Sequence, residues 1–269
     1  MVDLDNLLTD LDAESSALES MVVDLPETEW ARPTPAAGWT VAHQIAHLAW
    51  TDHVTTLAAT DPDGFTEWLR RATDDPHNFV DKGAEEFLAP VPELLQRWRA
   101  SRAALRRALR DLPPGAKIPW YGTRMSATST ATARIMETWA HGEDVADALG
   151  ITRTPTARLR HVAYLGARTI GHAFATRGRP VPDTPVRVEL TGPDGGLWQF
   201  GPPDAADRIT GPALDFCLLV TRRRHHTDLA LVTVGPVATE WLGIAQAFAG
   251  PPGAGRQPAG NREPGGAVR

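Results

Sequence analysis

Apolar positions in the first 150 residues recur with the period of an α-helix. The first such pattern comprises Leu4, Leu7, Leu8, Leu11, Leu18 and Val22. Further helices are predicted over 41–60, 64–72, 84–111 and 126–149, with Thr40 as an N-cap and Gly150 as a C-cap. Four long amphipathic helices joined by loops predict an antiparallel four-helix bundle.

The pattern changes in the second half of the chain. After a further helix predicted over about 155–177, Val186, Val188 and Leu190 alternate with polar residues as in a strand. The turn TGPDGG and the strand LWQFG complete a predicted hairpin over 185–201. A strand running into a helix (RITGPALDFCLLV), a strand (DLALVTVG) and a closing helix (PVATEWLGIAQAFAG) follow.

The sequence therefore predicts an α+β chain with two domains and a tail. Residues 1–150 are the predicted helix bundle, and residues 151–250 are a linking helix plus a small α+β domain. Residues 251–269 are rich in Gly and Pro and offer little to bury, so a disordered tail is predicted there.

Composition narrows the classes of function. A net charge of −6, with RRRHH at 222–226 as the densest basic patch, argues against a nucleic acid as partner. Cys217 is the only cysteine, so a metal site would need His and carboxylate ligands. The acidic start MVDLDNLLTDLDAESS does not resemble a secretory signal, and no apolar run reaches the length of a membrane span. We therefore expect a soluble, cytoplasmic protein without a membrane partner.

Two apolar helices carry paired polar residues that are candidates for chemistry. His43 and His47 lie four residues apart in GWTVAHQIAHLAW, as do Glu137 and His141 in ETWAHGED, with Asp144 three residues further on. Residues four apart in a helix point the same way, and bundles build metal sites from such groups on facing helices. The alternative interpretation is that these are core residues satisfied by ordinary hydrogen bonds.

These stretches resemble a known family. GWTVAHQIAHLAW and RIMETWAHGEDVADALG are similar to the DinB-like metal-binding bundles, and more closely to the mycothiol-dependent maleylpyruvate isomerase group. ITGPALDFCLLVTRRRHHTDLALVTVGPVATEWLGIAQAFAG is similar to the sterol-carrier-like C-terminal domain of that group. The resemblance covers nearly all of residues 1–250 and is closest to a subset described as metal-binding proteins of unknown function.

The resemblance implies a metal site and a reaction. His47, Glu137 and His141 would be the metal ligands, with His43 and Asp144 beside them as orienting or catalytic groups. Zn²⁺ suits two His and one carboxylate, and Ni²⁺ and Fe²⁺ accept the same ligands. The implied reaction uses mycothiol as a metal-bound thiolate that attacks an unsaturated, carbonyl-bearing substrate. Its outcome is S-transfer or cis–trans isomerisation.

Three residues outside this set are candidates for binding the substrate. Arg222 and Arg224 have guanidinium groups suited to a carboxylate, although a solvated basic turn explains them equally well. Tyr121 begins the hydroxyl-rich stretch YGTRMSATST, which either lines the pocket or forms an ordinary helix cap.

The sequence leaves two other functions open. One is a metal enzyme that needs no thiol, acting as a hydrolase, lyase or isomerase. The other is a non-catalytic protein that holds a structural metal and binds a hydrophobic ligand near Phe216, Leu218 and Trp241. Substrate identity and oligomeric state do not follow from the sequence.

Overall fold

The computed structural model describes residues 3–72, 78–121 and 123–261. The chain divides into two compact units, Met1–Arg153 and Thr154–Arg269. In the described residues, the first unit is mainly helical with one short hairpin, and the second combines helices with a four-stranded sheet. The helix-rich α+β class predicted from the sequence is therefore confirmed.

The first unit is built mainly from four long helices. These are α1 (Leu4–Val22), α3 (Val41–Thr60), α6 (Val91–Asp111) and α7 (Ala127–Leu149). Shorter helices lie between them, namely α2 (Glu27–Trp30), α4 (Pro62–Ala72) and α5 (Phe79–Phe87). The α7 helix ends at Gly150 with φ 68°, a left-handed conformation that glycine adopts without strain, so the predicted C-cap is confirmed.

The α3 helix is the most enclosed element of the first unit. It packs against α4, α5, α6 and α7, while α1 packs against α7. Its buried residues lie on nearly every side of the helix and include Gln44 and His47. Because buried polar groups are costly unless they find partners, the polar residues of α3 need neighbours that satisfy them.

Two apolar clusters occupy opposite ends of these helices. One includes Val54 on α3 and Ile135 on α7, and the other includes Ile45 on α3 and Val145 on α7. The amino-terminal half of α3 thus shares a cluster with the carboxyl-terminal half of α7, as expected of antiparallel helices. The polar residues discussed below come from the middle of both helices.

The structure corrects the single helix predicted over 84–111. The α5 helix ends at Phe87 and α6 begins at Val91, with Leu88 extended (φ −59°, ψ 139°) and Pro90 at the N-cap of α6. Proline cannot continue a preceding helix but is tolerated at a helix start, where the missing N–H is not needed. The prolines therefore separate two helices that the apolar period alone had joined.

A short hairpin, predicted only as a loop, leads into α7. Strands β1 (Lys117–Trp120) and β2 (Thr123–Ser126) pair antiparallel, with Trp120 opposite Thr123. Strands of four residues are too short to give a clear alternating pattern. Ser126 then caps α7, because its Oγ accepts a hydrogen bond of 3.2 Å from the Ser129 backbone N–H.

The second unit contains a mixed sheet. Its strands are β3 (Val186–Thr191), β4 (Leu197–Phe200), β5 (Asp207–Pro212) and β6 (Val232–Val234), in the order β4-β3-β5-β6. The β3 and β4 strands form the predicted antiparallel hairpin, β3 and β5 are parallel, and β5 and β6 are antiparallel.

The helices of the second unit are shorter than predicted. They are α8 (Leu159–Arg168), α9 (Ile170–Ala175), α10 (Ala213–Val220) and α11 (Pro236–Leu242). The helix predicted over 155–177 is interrupted at Thr169 (φ −103°, ψ 15°). The closing helix ends at Leu242, since Gly243 follows and glycine has a low helix propensity.

The predicted tail over 251–269 is only partly covered by the described residues. In 251–261, a short 3-10 turn spans Ala259–Asn261, and the Ala259 N–H donates to the Asp228 carboxylate at 2.9 Å. Residues 262–269 lie outside the described part of the chain. Within the described residues, none of the helices combines the length and hydrophobicity needed to cross a bilayer.

Candidate metal centre

The three predicted ligand residues converge between α3 and α7. His47 belongs to α3, and Glu137 and His141 lie one turn apart on α7. One ligand atom from each residue lies within 4.8 Å of the other two. The four-residue spacing puts Glu137 and His141 on one face of α7, and the packing of α3 on α7 places His47 opposite them.

The spacing of these atoms suits one small cation. The Nε2 atom of His141 lies 3.4 Å from Oε2 of Glu137, and Nε2 of His47 lies 3.8 Å from the same oxygen. Ligand atoms arranged tetrahedrally at about 2.1 Å from an ion lie about 3.4 Å apart. Two imidazole nitrogens and one carboxylate oxygen are also a donor set of catalytic zinc sites, which keep a fourth position open.

Gln44 fixes the orientation of His141. Its Oε1 lies 2.5 Å from Nδ1 of His141, and its Nε2 donates to Oγ1 of Thr34 at 2.9 Å. With the amide nitrogen committed to Thr34, the amide oxygen must face the imidazole and accept its Nδ1–H. This tautomer leaves the lone pair on Nε2, the nitrogen nearer Glu137, which is how metal-ligating histidines are usually held.

His47 is buried without full hydrogen bonding. Only 6% of its surface is exposed, and its Nδ1 has no hydrogen-bond partner within the described residues. A buried polar group left unpaired costs roughly 1–3 kcal/mol. The other ring nitrogen, Nε2, lies 3.8 Å from Oε2 of Glu137 and is the one available to a cation.

The protonation states are those that a cation requires. Burial alone would raise the pKa of Glu137, but the two neighbouring imidazoles and the charge of Arg134 outweigh burial and hold that pKa well below its usual range. Burial, reinforced by the charge of His141, lowers the pKa of His47 to about 4. At neutral pH the site therefore offers an ionised carboxylate and a neutral imidazole, the forms that bind a metal.

Tryptophan rings cover the site. The Trp39 ring centroid lies 5.1 Å from that of His47 and 6.0 Å from that of His141, and Trp50 lies 5.7 Å from His47. Trp50 packs directly on Gly83 of α5, where a Cβ atom would lie 2.2 Å from the indole. These apolar walls lower the local dielectric and strengthen every charge interaction within the site.

A buried ion pair adjoins the three residues. Asp52 on α3 accepts a 2.9 Å hydrogen bond from Nε of Arg134 on α7, and their side chains are 6% and 4% exposed. The charge of Arg134 contributes to the low pKa of Glu137. Glu137, Asp52 and Arg134 together carry a formal charge of −1, so a divalent cation would change the local charge to +1.

The contacts of His43 and Asp144 do not decide their predicted roles beside the ligands. Nδ1 of His43 lies 2.8 Å from Oγ1 of Thr40 and accepts the Thr40 N–H at 3.3 Å, so His43 completes the N-cap of α3. Asp144 was predicted to orient His141. It is buried, but the hydrogen bond at Nδ1 of His141 is formed with Gln44. Their predicted catalytic or orienting roles stay predictions.

Tyr121 lies at the edge of the first unit's aromatic cluster. Its ring centroid is 4.9 Å from Trp120 and 5.8 Å from Phe79. Burial raises the pKa of Tyr121, so the phenol keeps its proton at neutral pH. The charges of Arg134 and Glu137 both act on that pKa, which places Tyr121 within electrostatic range of the site.

Arg222 and Arg224 belong to the second unit. They line a cavity of about 140 Å³ together with His225 and His226. Nη1 of Arg222 is buried with no hydrogen-bond partner in the described part of the chain, and the residue has an unusual φ of 59°. Their predicted role in substrate binding stays a prediction.

Sequence reasoning missed Gln44, Asp52 and Arg134. A signal for two of them was present, since Gln44 precedes His47 by three residues and Arg134 precedes Glu137 by three. This spacing puts each on the same helix face as a predicted ligand. No sequence pattern indicated that Asp52 pairs with Arg134, because the pairing joins residues 82 positions apart.

Two family patterns match this sequence. The pattern of the mycothiol maleylpyruvate isomerase N-terminal domain matches residues 11–146, about half of the chain. A pattern described as wyosine base formation matches residues 182–234 in the second unit.

Individual proteins and solved structures are also similar. Two uncharacterized proteins of Mycobacterium tuberculosis, from strains CDC 1551 / Oshkosh and ATCC 25618 / H37Rv, are each 53% identical over 257 residues. The matches cover 95% of this chain and 100% of each relative.

The similar solved structures are two crystal structures of the mycothiol-dependent maleylpyruvate isomerase. One is a histidine-to-alanine mutant, with a TM-score of 0.56 and 18% identity over 86% of this chain and 93% of that one. The other has a TM-score of 0.52 and 18% identity over 81% and 88%. At this level of identity the likeness concerns the fold.

Proposed function

Because the chain belongs to the family of the mycothiol maleylpyruvate isomerase N-terminal domain, we propose that it is a metal-dependent enzyme acting on a small electrophilic substrate. The substrate is unsaturated and carries a carbonyl group. The reaction uses a thiol, mycothiol in the first instance, for S-transfer or cis–trans isomerisation. The observation that carries this proposal is the convergence of His47, Glu137 and His141 within 4.8 Å.

The cation and the residues have separate tasks. A divalent ion, Zn²⁺ in the first instance with Ni²⁺ or Fe²⁺ as alternatives, supplies a Lewis acid that lowers the pKa of a thiol or polarises a carbonyl. His47, Glu137 and His141 hold it, and Gln44 keeps His141 in the ligating tautomer. The Trp39 ring beside His47 and His141 shields part of the site from water, which would protect a reactive thiol and an electrophile from side reactions.

The finer architectural predictions belong to the same proposal. The first unit is a DinB-like antiparallel four-helix bundle, supported by the packing of α3 on α6 and of α1 and α3 on α7. The second is a sterol-carrier-like domain whose sheet and helices follow the linking segment. Arg222 and Arg224 contribute a carboxylate contact, supported by the buried and unpartnered Nη1 of Arg222.

One experiment tests the metal and the thiol together. The purified protein is analysed for bound Zn, Ni and Fe, and consumption of mycothiol is then measured with an electrophilic enoate. We expect about one metal ion per chain and turnover that requires both the metal and the thiol. His47→Ala and Glu137→Gln should each abolish metal binding and turnover.

His53→Ala is the matched control, because His53 lies on the same helix with an exposed side chain. It should leave both measurements unchanged. Turnover that is the same without any thiol would identify a thiol-independent metal enzyme instead. Protein that binds none of the three metals would overturn the proposal.

A further inference from the structure

Trp39 lies against both imidazoles of the candidate metal centre, and it comes from the turn before α3 rather than from α3 or α7. Its ring is stacked on that of His141, with an angle of 19° between the planes and 6.0 Å between the centroids. The same ring lies 5.1 Å from that of His47, and the two imidazole centroids are 4.5 Å apart. One indole therefore covers one side of both predicted histidine ligands.

The backbone of Trp39 is held by a tight turn. Its N–H donates to the carbonyl oxygen of Ala36 at 3.0 Å, and its carbonyl oxygen accepts from the N–H of Thr34 at 2.8 Å and from Oγ1 of Thr34 at 3.0 Å. Gly38 has a φ of 79°, which residues with a side chain rarely adopt, so the turn depends on glycine there. With the backbone fixed, the ring leaves the imidazoles by rotation about its own side-chain bonds.

A hydrogen bond to α5 limits that rotation. Nε1 of Trp39 donates to Oδ1 of Asp81 at 2.9 Å, although the two residues are 42 positions apart in the chain. Asp81 is exposed and Trp39 is only partly buried, so core packing does not by itself account for the position of the ring. Hydrogen bonds to carboxylates are stronger than those between neutral groups. The Asp81 carboxylate therefore acts as a latch on the indole.

The same short helix supports the other tryptophan beside His47. Gly83 of α5 lies directly on the Trp50 indole, since a Cβ atom on this glycine would be 2.2 Å from the ring. Trp50 in turn lies 5.7 Å from His47. The α5 helix thus holds Trp50 by close packing and Trp39 by an exposed polar contact. The polar contact is the one that can open without disturbing the core.

We propose that Trp39 is a gate at the candidate metal centre and that Asp81 is its latch. While Asp81 holds it, the indole shields the imidazoles of His47 and His141 on one side. Once released, the indole turns away and lets a ligand or the metal ion pass. Trp39 and Asp81 are then positioning residues that set the rate of exchange at the site. This inference deepens the proposed function, on which its consequence for the metal rests.

Histidine labelling of the metal-free, full-length protein tests the shielding. Diethyl pyrocarbonate modifies accessible neutral imidazoles, and mass spectrometry of the peptides gives a separate rate for each histidine. His53, which is exposed on α3, is the internal reference. In wild type, His47 and His141 should react more slowly than His53. Asp81→Ala should raise both rates relative to His53 by about 3- to 10-fold, the factor expected for loss of one hydrogen bond.

Zinc release tests the consequence for the proposed metal centre. The zinc-loaded protein is mixed with an excess of a chromophoric chelator, and the rate of metal transfer is followed. Asp81→Ala should release zinc about 3- to 10-fold faster than wild type. Its equilibrium affinity for zinc should change less than about threefold, because a gate alters the rates of entry and exit alike. A general loss of structure would weaken the affinity instead.

Glu85→Ala is the matched control for Asp81→Ala. Glu85 is also exposed and lies one turn after Asp81 on α5, so this variant should match wild type in both measurements. Trp39→Phe keeps an aromatic ring but lacks the indole N–H, and it should therefore behave like Asp81→Ala. Adding Asp81→Ala to Trp39→Phe should have no further effect, because both substitutions remove the same hydrogen bond.

The outcomes separate this inference from the proposed function. If Asp81→Ala leaves labelling and zinc release as in wild type, or if its effect adds to that of Trp39→Phe, the latch is refuted and the metal proposal stands. If labelling changes as expected but wild type binds no zinc, the metal proposal fails and the shielding by Trp39 stands.

Discussion

Gln44 decides which nitrogen of His141 faces the candidate metal centre. It is fully buried, accepts from Nδ1 of His141 and donates to Thr34. A buried amide with both ends committed cannot rotate without losing a hydrogen bond on each side. The orientation of one predicted ligand therefore depends on a residue outside the predicted ligand set.

Replacing Gln44 should weaken metal binding without removing a ligand. We expect Gln44→Leu to lower zinc affinity by about 10- to 100-fold, because the imidazole loses the acceptor that fixes its tautomer. Competition with a chromophoric chelator measures this affinity. Gln44→Glu keeps an acceptor at the same place and should stay within about threefold of wild type. If Gln44→Leu and Gln44→Glu lose zinc affinity equally, Gln44 acts through packing alone.

The long helices are held together by specific polar contacts as well as apolar faces. Glu19 of α1 accepts hydrogen bonds from Arg99 and Arg102 of α6, and the Arg102 guanidinium also lies 4.2 Å from the centroid of the Trp98 ring. Burial would raise the pKa of Glu19, but the two arginines outweigh burial and leave that pKa below its usual value of 4.5.

This contact between α1 and α6 should make stability depend on pH. A carboxylate with a lowered pKa in the folded state stabilises the protein above its unfolded pKa, and the contribution is lost as the pH falls through the folded value. Glu19→Gln should therefore reduce the free energy of unfolding by about 0.5–1.5 kcal/mol at pH 7 and by much less at pH 3. Urea denaturation at both pH values measures the difference.

Glu93→Gln provides the comparison within a single helix. Glu93 pairs with Arg97 four residues later on α6, and both side chains are largely exposed. Exposed pairs of this kind contribute about 0.3–0.5 kcal/mol. If Glu19→Gln lowers the free energy of unfolding by no more than Glu93→Gln does, or if its effect persists at pH 3, the interhelical role of Glu19 is contradicted.

Helix existence was predictable from sequence, whereas helix ends and pairings were less so. The apolar period located α1, α3 and α7 because each offers several turns of pattern. The same period joined α5 to α6, since periodicity does not register the break that Pro90 imposes. The β1–β2 hairpin went unseen because its strands have four residues each.

At the scale of the whole molecule, the metal should contribute to stability through the first unit. A ligand that binds only the folded state stabilises it by about 2.7 kcal/mol at 100 times its Kd. For a unit of this size, chelation should therefore lower the midpoint of thermal unfolding by about 5–10 °C. Calorimetry with and without a chelator measures the shift.

The ligand variants tell whether this shift comes from the proposed site. The shift should vanish in His47→Ala, which lacks one ligand, and persist in His53→Ala. A chelator effect of equal size in His47→Ala would place the stabilising metal elsewhere in the molecule.

The sequence by itself determined the helix-rich α+β class and the three residues that converge. Apolar period specifies which face of a helix is buried, so the polar pairs His43 with His47 and Glu137 with His141 stand out on such faces. The family resemblance then selected His47, Glu137 and His141 among them. Only the tertiary structure decided which groups support them. The Gln44–His141 contact joins residues 97 positions apart and the Asp52–Arg134 pair joins residues 82 apart, so neither leaves a local pattern in the chain. Such partners are chosen by the packing of α3 against α7, which brings together side chains that the sequence keeps distant.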